Sequence, residues 1–366
     1  MRRRALLSLP AAAALAQETK FGIRVQPGPM DTILAKDYAP ESSLVVEEHH
    51  PAKARFLAID VHTHTSMNNI RAAADVDAWV KTMDEVGVDR SIVFTGAVGA
   101  DFDRQVALFA SHPKRFALYC AIDMQRQEEP GWTDRAVAEL ERCHAKGARG
   151  VGELTDKGWG LQASEKGALP RARRFHLDHA KLAPFWEKCG QLRLPVNIHI
   201  ADHPSCWKPL GPKQERTPDF QHFNLSTKDV PSYEELLATR DRMVAAHPKT
   251  TFLFCHLSNQ ANDTARLSAF LDRYPNAYLD ISARDYELGR QPRTARRFIE
   301  RYSNRLLWGT DMGNAAAMYR GWWRLLETED EFIPGRLWWR YYGLDLPEAA
   351  LKALYRDNAL RILNWA

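Results

Sequence analysis

Asp60, His62 and His64 occupy alternate positions of one β-rich run, FLAIDVHTH (56–64), a spacing that sends all three side chains to one face of a strand. Two imidazoles two residues apart lie about 6–7 Å apart along a strand, close enough to chelate one metal ion through neutral nitrogens. Such a pair alone says little. Its weight comes from the ends of the other apolar runs: Glu153 in ARGVGEL (148–154), His199 in PVNIHIA (195–201), His256 in TFLFCHL (251–257), Ser282 and Arg284 at the end of AYLDISA (277–283), and Asp311 closing RLLWGTD (305–311). Polar, metal-competent side chains in apolar strands are costly unless paired or coordinated. Their recurrence at the ends of strand after strand is the pattern of a catalytic barrel mouth.

The elements that must position these residues are legible as an alternation. Those runs, together with SIVFTGA (91–97) and FALYCAID (116–123), make eight strand-like segments. Between them lie amphipathic patterns at 75–87, 133–147, 182–190, 233–248 and 293–304, with Gly87, Gly147 and Gly190 where helices need a C-terminal stop. Eight βα units predict an α/β chain folded as one closed (β/α)8 TIM barrel over 56–366, and the first strand carries no Gly-rich phosphate turn of the kind an open doubly wound sheet needs.

Residues 17–55 form a leader expected to pack on the barrel. Two long insertions, 203–231 and 313–344, leave the C-terminal ends of strands five and eight, where barrel enzymes build their sites. The second carries Tyr319, Trp322, Trp323 and four further Trp and Tyr residues. It reads either as a substrate-facing lid, which makes Trp322 and Trp323 substrate-binding residues, or as packing on the barrel rim or on a second subunit of a homo-oligomer. Arg284 is placed to hold a substrate carboxylate, with an ion pair to a neighbouring acid as the competing role.

With 366 residues, 45% hydrophobic and 26% charged, the chain is an ordinary globular protein rather than a disordered one. Three of its four excess positive charges are Arg2, Arg3 and Arg4, so the remainder offers no global attraction for nucleic acid or anionic lipid, and a small-molecule substrate is expected. MRRRALLSLPAAAALAQE has the basic start, short apolar run and small residues of a secretory signal peptide over 1–16, with the paired arginines of a twin-arginine route. That predicts an exported, periplasmic or extracellular protein. No later stretch has the apolar length of a membrane span. The five cysteines lack a CxxC spacing and allow at most two disulfides; Cys120 and Cys255, inside apolar strand-like runs, read as buried, inert thiols.

IDVHTHT opening the barrel, NIHIAD, FCHLS, LLWGTD and the closing LPEAALKALYRDNALRILNWA together resemble the amidohydrolase superfamily. Within it the likeness is to the amidohydrolase-2, or amidohydrolase-related, group, which also holds the aminocarboxymuconate-semialdehyde decarboxylase-like enzymes and several lactonases. The resemblance implies that His62, His64, His199 and Asp311 bind a divalent metal, most often zinc, and that His256 is a second-metal ligand or a catalytic acid/base. It also implies a metal-activated water whose proton Asp311 accepts. Binuclear members often bridge their metals with a carboxylated lysine on strand four; here Glu153 stands there, similar to the glutamate of TatD-like hydrolases, as a further candidate ligand. The expected activity is metal-dependent hydrolysis of an amide, ester or lactone. The alternatives are non-oxidative decarboxylation of an unsaturated or aromatic acid, and a barrel that binds without catalysing.

Overall fold

The structure is a computed structural model that describes residues 19–20, 23–24, 28–29, 31–34, 37–39, 41–216, 221–335, 339–363 and 365. The expected export signal, 1–16, lies outside them. Residues 1–44 and 45–366 form two separate units. In the first, Thr19–Lys20 pairs antiparallel with Ile23–Arg24.

The second unit is the expected barrel. Its strands are β1 (Ala58–His64), β2 (Val88–Phe94), β3 (Phe116–Cys120), β4 (Gly150–Asp156), β5 (Val196–Ile200), β6 (Phe252–Phe254), β7 (Ala277–Asp280) and β8 (Leu306–Leu307), parallel and paired in chain order. β1 meets β8 through Val61 N–H to the Trp308 carbonyl (3.1 Å) and Asp311 N–H to the His62 carbonyl (2.8 Å), which brings the first and last strands together. Around the strands run α1 (Ala73–Val86), α2 (Gly99–Leu108), α3 (Trp132–Ala145), α4 (Ala183–Gln191), α5 (Tyr233–Ala246), α6 (Thr264–Arg273), α7 (Asp285–Arg290), α8 (Pro292–Arg301) and α9 (Ala316–Glu327). No described helix is long and apolar enough to cross a membrane.

Local chemistry explains several boundaries. Asp75 accepts the Arg71 and Ala72 N–H groups at the start of α1, and Gly87 ends it at φ 86°, a left-handed conformation that glycine adopts without strain. Ser232 and Glu235 cap α5 reciprocally. Gly190 is not the expected stop: it lies inside α4, where a Cβ would come within 2.8 Å of Thr250 Oγ1 and 3.1 Å of the Lys249 carbonyl oxygen. Its absent side chain lets the helix approach the chain that leads into β6.

Two apolar layers hold the barrel. Val93, Val151, Val196, Ile198, Phe252 and Leu279 pack with the outer helices. Ile59, Val61, Ile92, Phe94, Tyr119, Leu253 and Leu307 cluster separately with Leu363 and Trp365 from the C-terminal end.

The 313–344 stretch proves to contain an outer helix of the barrel, α9. On α9, Trp323 donates its indole N–H to the Val86 carbonyl (3.1 Å), and Tyr319 accepts from the Trp79 indole (3.3 Å). Trp323 also stacks on Trp308 and meets Tyr355, and Trp322 is buried in the same apolar cluster. Trp322 and Trp323 therefore serve the outer core and do not offer substrate-facing rings. Trp338 lies outside the described residues.

Candidate metal centre

His62 and His64 leave β1 toward Phe94 on β2, with ring centroids 4.8 and 5.2 Å away. Asp60 does not join them. An extra residue in β1 between Asp60 and Thr63 shifts the register against β2, so Ile59 and Val61 take the inner cluster and the alternation from Asp60 to His62 breaks. The buried Asp60 carboxylate accepts from Thr310 N–H (3.0 Å), Thr310 Oγ1 (2.7 Å) and His62 N–H (3.1 Å), which clasps β1 to the end of β8. Burial raises its pKa to about 7.

Asp311 and Glu153 complete a tight set with the two histidines. His62 Nε2 lies 3.3 Å from His64 Nε2, 3.4 Å from Asp311 Oδ1 and 3.6 Å from Glu153 Oε1. His64 Nε2 lies 3.2 Å from Asp311 Oδ1 and 3.5 Å from Glu153 Oε2. Donors placed 2.0–2.2 Å from a common tetrahedral ion stand about 3.3–3.6 Å apart, so these residues fit a divalent metal.

Glu153 also faces a second set. Its Oε1 is 3.1 Å from His199 Nδ1 and 3.3 Å from His256 Nε2, and the ligand atoms of Glu153, His199 and His256 all fall within 4.8 Å of one another. His199 thus meets the cluster through Glu153, while its Nε2 turns to Asp202 Oδ1 (3.2 Å), itself paired with Lys157 Nζ (2.9 Å). Asp311 Oδ2 lies 3.5 Å from His256 Nε2, so both carboxylates touch both sets. Glu153 sits inside β4, which continues to Asp156, and does not end the strand.

His256 lies beyond β6, at φ 58°, opening a run of four left-handed residues, His256 to Asn259. For residues with side chains this conformation is strained by roughly 1–2 kcal/mol each and needs outside support. Asn259 supplies part of it by donating to the Ile200 (3.1 Å) and Ala201 (3.2 Å) carbonyls, Arg240 by donating to Ser258 Oγ (2.7 Å), and Asp280 by accepting His256 N–H (2.9 Å). Ala201, Ala283 and Asp311 are also left-handed, so four successive strand ends turn sharply at the mouth.

Electrostatics favour the charged carboxylates. Burial opposes ionisation of Asp311 and Glu153, but the imidazoles around them, His62 foremost, hold both well below the usual carboxylate range. Burial likewise opposes charge on His62, and the anionic groups facing it, Asp311, Asp280 and Glu153 among them, raise it well above the usual value. Burial lowers His256, helped by the positive charge of His199 and His62.

Arg284 lies past β7 at the start of α7. Among the described residues its Nη1 makes only long contacts, 3.3 Å to Glu287 Oε1 and 3.4 Å to the Tyr286 hydroxyl, and its buried Nε has no hydrogen-bond partner. Glu287 is the acid of the competing ion-pair role. The sequence reading missed Asp280 and Asp202. Asp280 sits two residues before Ser282 in an apolar run, and the same alternation that singled out Ser282 points to it; Asp202 follows the strand-five histidine by three.

The sequence matches the amidohydrolase family, Amidohydro_2, over residues 59–365. The chain belongs to that family. Among solved structures, this amidohydrolase-family chain shares its fold with 2,6-dihydroxybenzoate decarboxylase from Rhizobium, at 18% identity and a TM-score of 0.52, covering 84% of this chain and 98% of that one. It is similarly related to an uncharacterised TIM-barrel protein from Bordetella bronchiseptica, at 16% identity and a TM-score of 0.52, with the same coverage of 84% and 98%. No curated protein matches it significantly. The family's divalent metal agrees with the donor set of imidazoles and carboxylates found at the mouth.

Proposed function

We propose that the chain is a zinc-dependent hydrolase of a small-molecule amide, ester or lactone, whose metal would be held by the two donor sets that meet at Glu153. What carries this reading is the position of Glu153, whose carboxylate contacts four imidazoles: His62 and His64 on one side, His199 and His256 on the other. Asp311 joins the first pair, and neutral imidazoles with carboxylates suit Zn²⁺. Metal bound there supplies Lewis acidity that ionises water near neutral pH.

The chain's own residues do the rest. Asp311 accepts the proton of the attacking water and returns it to the leaving heteroatom, as the water oxygen bonds to the carbonyl carbon and the C–N or C–O bond breaks. Arg284 offers its unpartnered guanidinium edge to a carboxylate elsewhere on the substrate. The same edge favours a second reading, decarboxylation, the reaction of the Rhizobium enzyme, in which a C–C bond breaks and a proton replaces the departing carbon dioxide. The first residues support export.

The test is metal analysis of the purified protein, followed by a panel of lactones, amides, esters and unsaturated acids. Hydrolysis adds water to the product. Release of carbon dioxide from an acid, with no turnover of the other classes, overturns the hydrolase reading in favour of the second.

A further inference from the structure

We infer that Asp280 and Ser282, at the end of β7, hold His62 and His256 together with a proton on Nδ1 of each ring, so that both rings turn Nε2 toward Glu153 and Asp311. The functional meaning of this rests on the ligand roles proposed above; the tautomers themselves do not.

The argument is a count of donors and acceptors. His256 Nδ1 lies 2.9 Å from the Ser282 carbonyl, which can only accept, so that nitrogen must carry the proton. His62 Nδ1 lies 3.0 Å from Asp280 Oδ2, and an ionised carboxylate can only accept, so His62 Nδ1 carries a proton too. Ser282 Oγ sits between the two rings, 3.0 Å from His62 Nδ1 and 2.9 Å from His256 Nδ1. Its single proton goes to Asp280 Oδ1, leaving two lone pairs for the two ring N–H groups. Asp280 Oδ1 also accepts the backbone N–H of Ser282 (3.0 Å) and of His256 (2.9 Å), the latter inside the left-handed turn. On the Nδ1 side of both rings every donor thus finds an acceptor, and a ring turned to present a bare Nδ1 would set it against the Ser282 carbonyl or the Asp280 carboxylate.

One fully buried carboxylate thereby orients one imidazole from each of the two sets that meet at Glu153. With Nδ1 committed to the β7 end, Nε2 is the atom each ring has left for a metal ion or for proton transfer. Asp280 and Ser282 are positioning residues, acting through the rings they hold.

The experiment is long-range proton–nitrogen correlation spectroscopy of metal-free protein labelled with nitrogen-15 histidine, with a chelator-competition measurement of zinc affinity alongside. Both rings are expected to show a protonated Nδ1. S282A is expected to keep the His256 tautomer, because the deciding acceptor is a backbone carbonyl, and to leave zinc affinity nearly unchanged. D280A is expected to give mixed tautomers and to weaken zinc binding by about 10- to 100-fold, with D280N between them because its amide retains one acceptor and loses the other. A His256 or His62 ring with no proton on Nδ1, or D280A with unchanged tautomers and affinity, overturns the inference. The wild-type spectrum decides even where D280A fails to fold. It also decides without any metal present, so a wrong hydrolase assignment leaves it standing.

Discussion

The backbone N–H of Asp311 donates to the carbonyl of His62 at 2.8 Å, so one of the bonds that join the last strand to the first is made between two of the candidate metal-binding residues themselves. Gly309 makes the approach feasible, since a Cβ there would stand 2.7 Å from His62 Cβ and 3.0 Å from His62 N. Gly309→Ala is therefore expected to force the strands apart, lowering stability by about 1–3 kcal/mol and weakening metal retention at the same time. Urea unfolding and metal analysis of one preparation check both. A variant that loses stability but holds metal as tightly as the parent refutes the link between closure and site.

His62→Ala and Asp311→Ala are each expected to remove activity and metal together. The loss in metal affinity should exceed the roughly 10- to 100-fold typical when only a ligand's outer partner is removed, because here a donor itself goes. Retention of full metal with activity abolished would place these residues outside the coordination set.

His256→Ala separates one ion from two. If Glu153 is shared between ions, elemental analysis of the variant should find about half the metal of the parent, with the His62 and His64 side still occupied. Unchanged metal content with turnover abolished would instead make His256 a proton-transfer residue at a one-metal centre.

Metal affinity should rise with pH across the neutral range. In the metal-free protein burial opposes charge on His62, but Cys255 and the carboxylates of Asp311, Asp280 and Glu153 raise it well above its ordinary value, so it holds a proton that the ion must displace, whereas Glu153 and Asp311 are already ionised and displace nothing. Raising the pH removes that competing proton and so favours binding. Calorimetry in buffers of different ionisation enthalpy should register proton release on zinc binding near pH 7; absence of release would contradict the protonated His62.

Arg284→Ala should raise KM for carboxylate-bearing substrates by about 10- to 100-fold, the range of a lost charged hydrogen bond, and leave zinc content unchanged. Neutral substrates should be unaffected. Equal effects on both classes would return Arg284 to its ion pair with Glu287.

All eight strands were legible because parallel barrel strands are buried on both sides and so appear as short apolar runs that alternate with helical periodicity. The chemistry was legible where a polar residue interrupts such a run, as at Glu153, His199, His256 and Asp311. Strand alternation failed at Asp60, because the extra residue in β1 has no local signature and shows itself only against β2. Gly190 was misread for a related reason: a close approach by Lys249 and Thr250 is a tertiary fact, invisible at the glycine. Asp280 was within reach, since the run that marks Ser282 marks it equally.

The aromatic stretch after Asp311 gives the last prediction. Tyr and Trp at high density read equally well as a lid, a subunit contact or a core, since each use depends on what lies opposite and not on the residues themselves. Trp79, Trp308 and Tyr355 lie opposite, and the Trp323 indole is bonded to the end of α1. Removing such a ring leaves a cavity, so Trp323→Ala is expected to cost about 3–5 kcal/mol of stability while the folded fraction keeps its metal and its KM. Denaturant titration with metal analysis and kinetics below the transition distinguishes the two roles. A lid residue would give the reverse result, with stability intact and KM or kcat impaired, because its ring would meet substrate and not the helix layer.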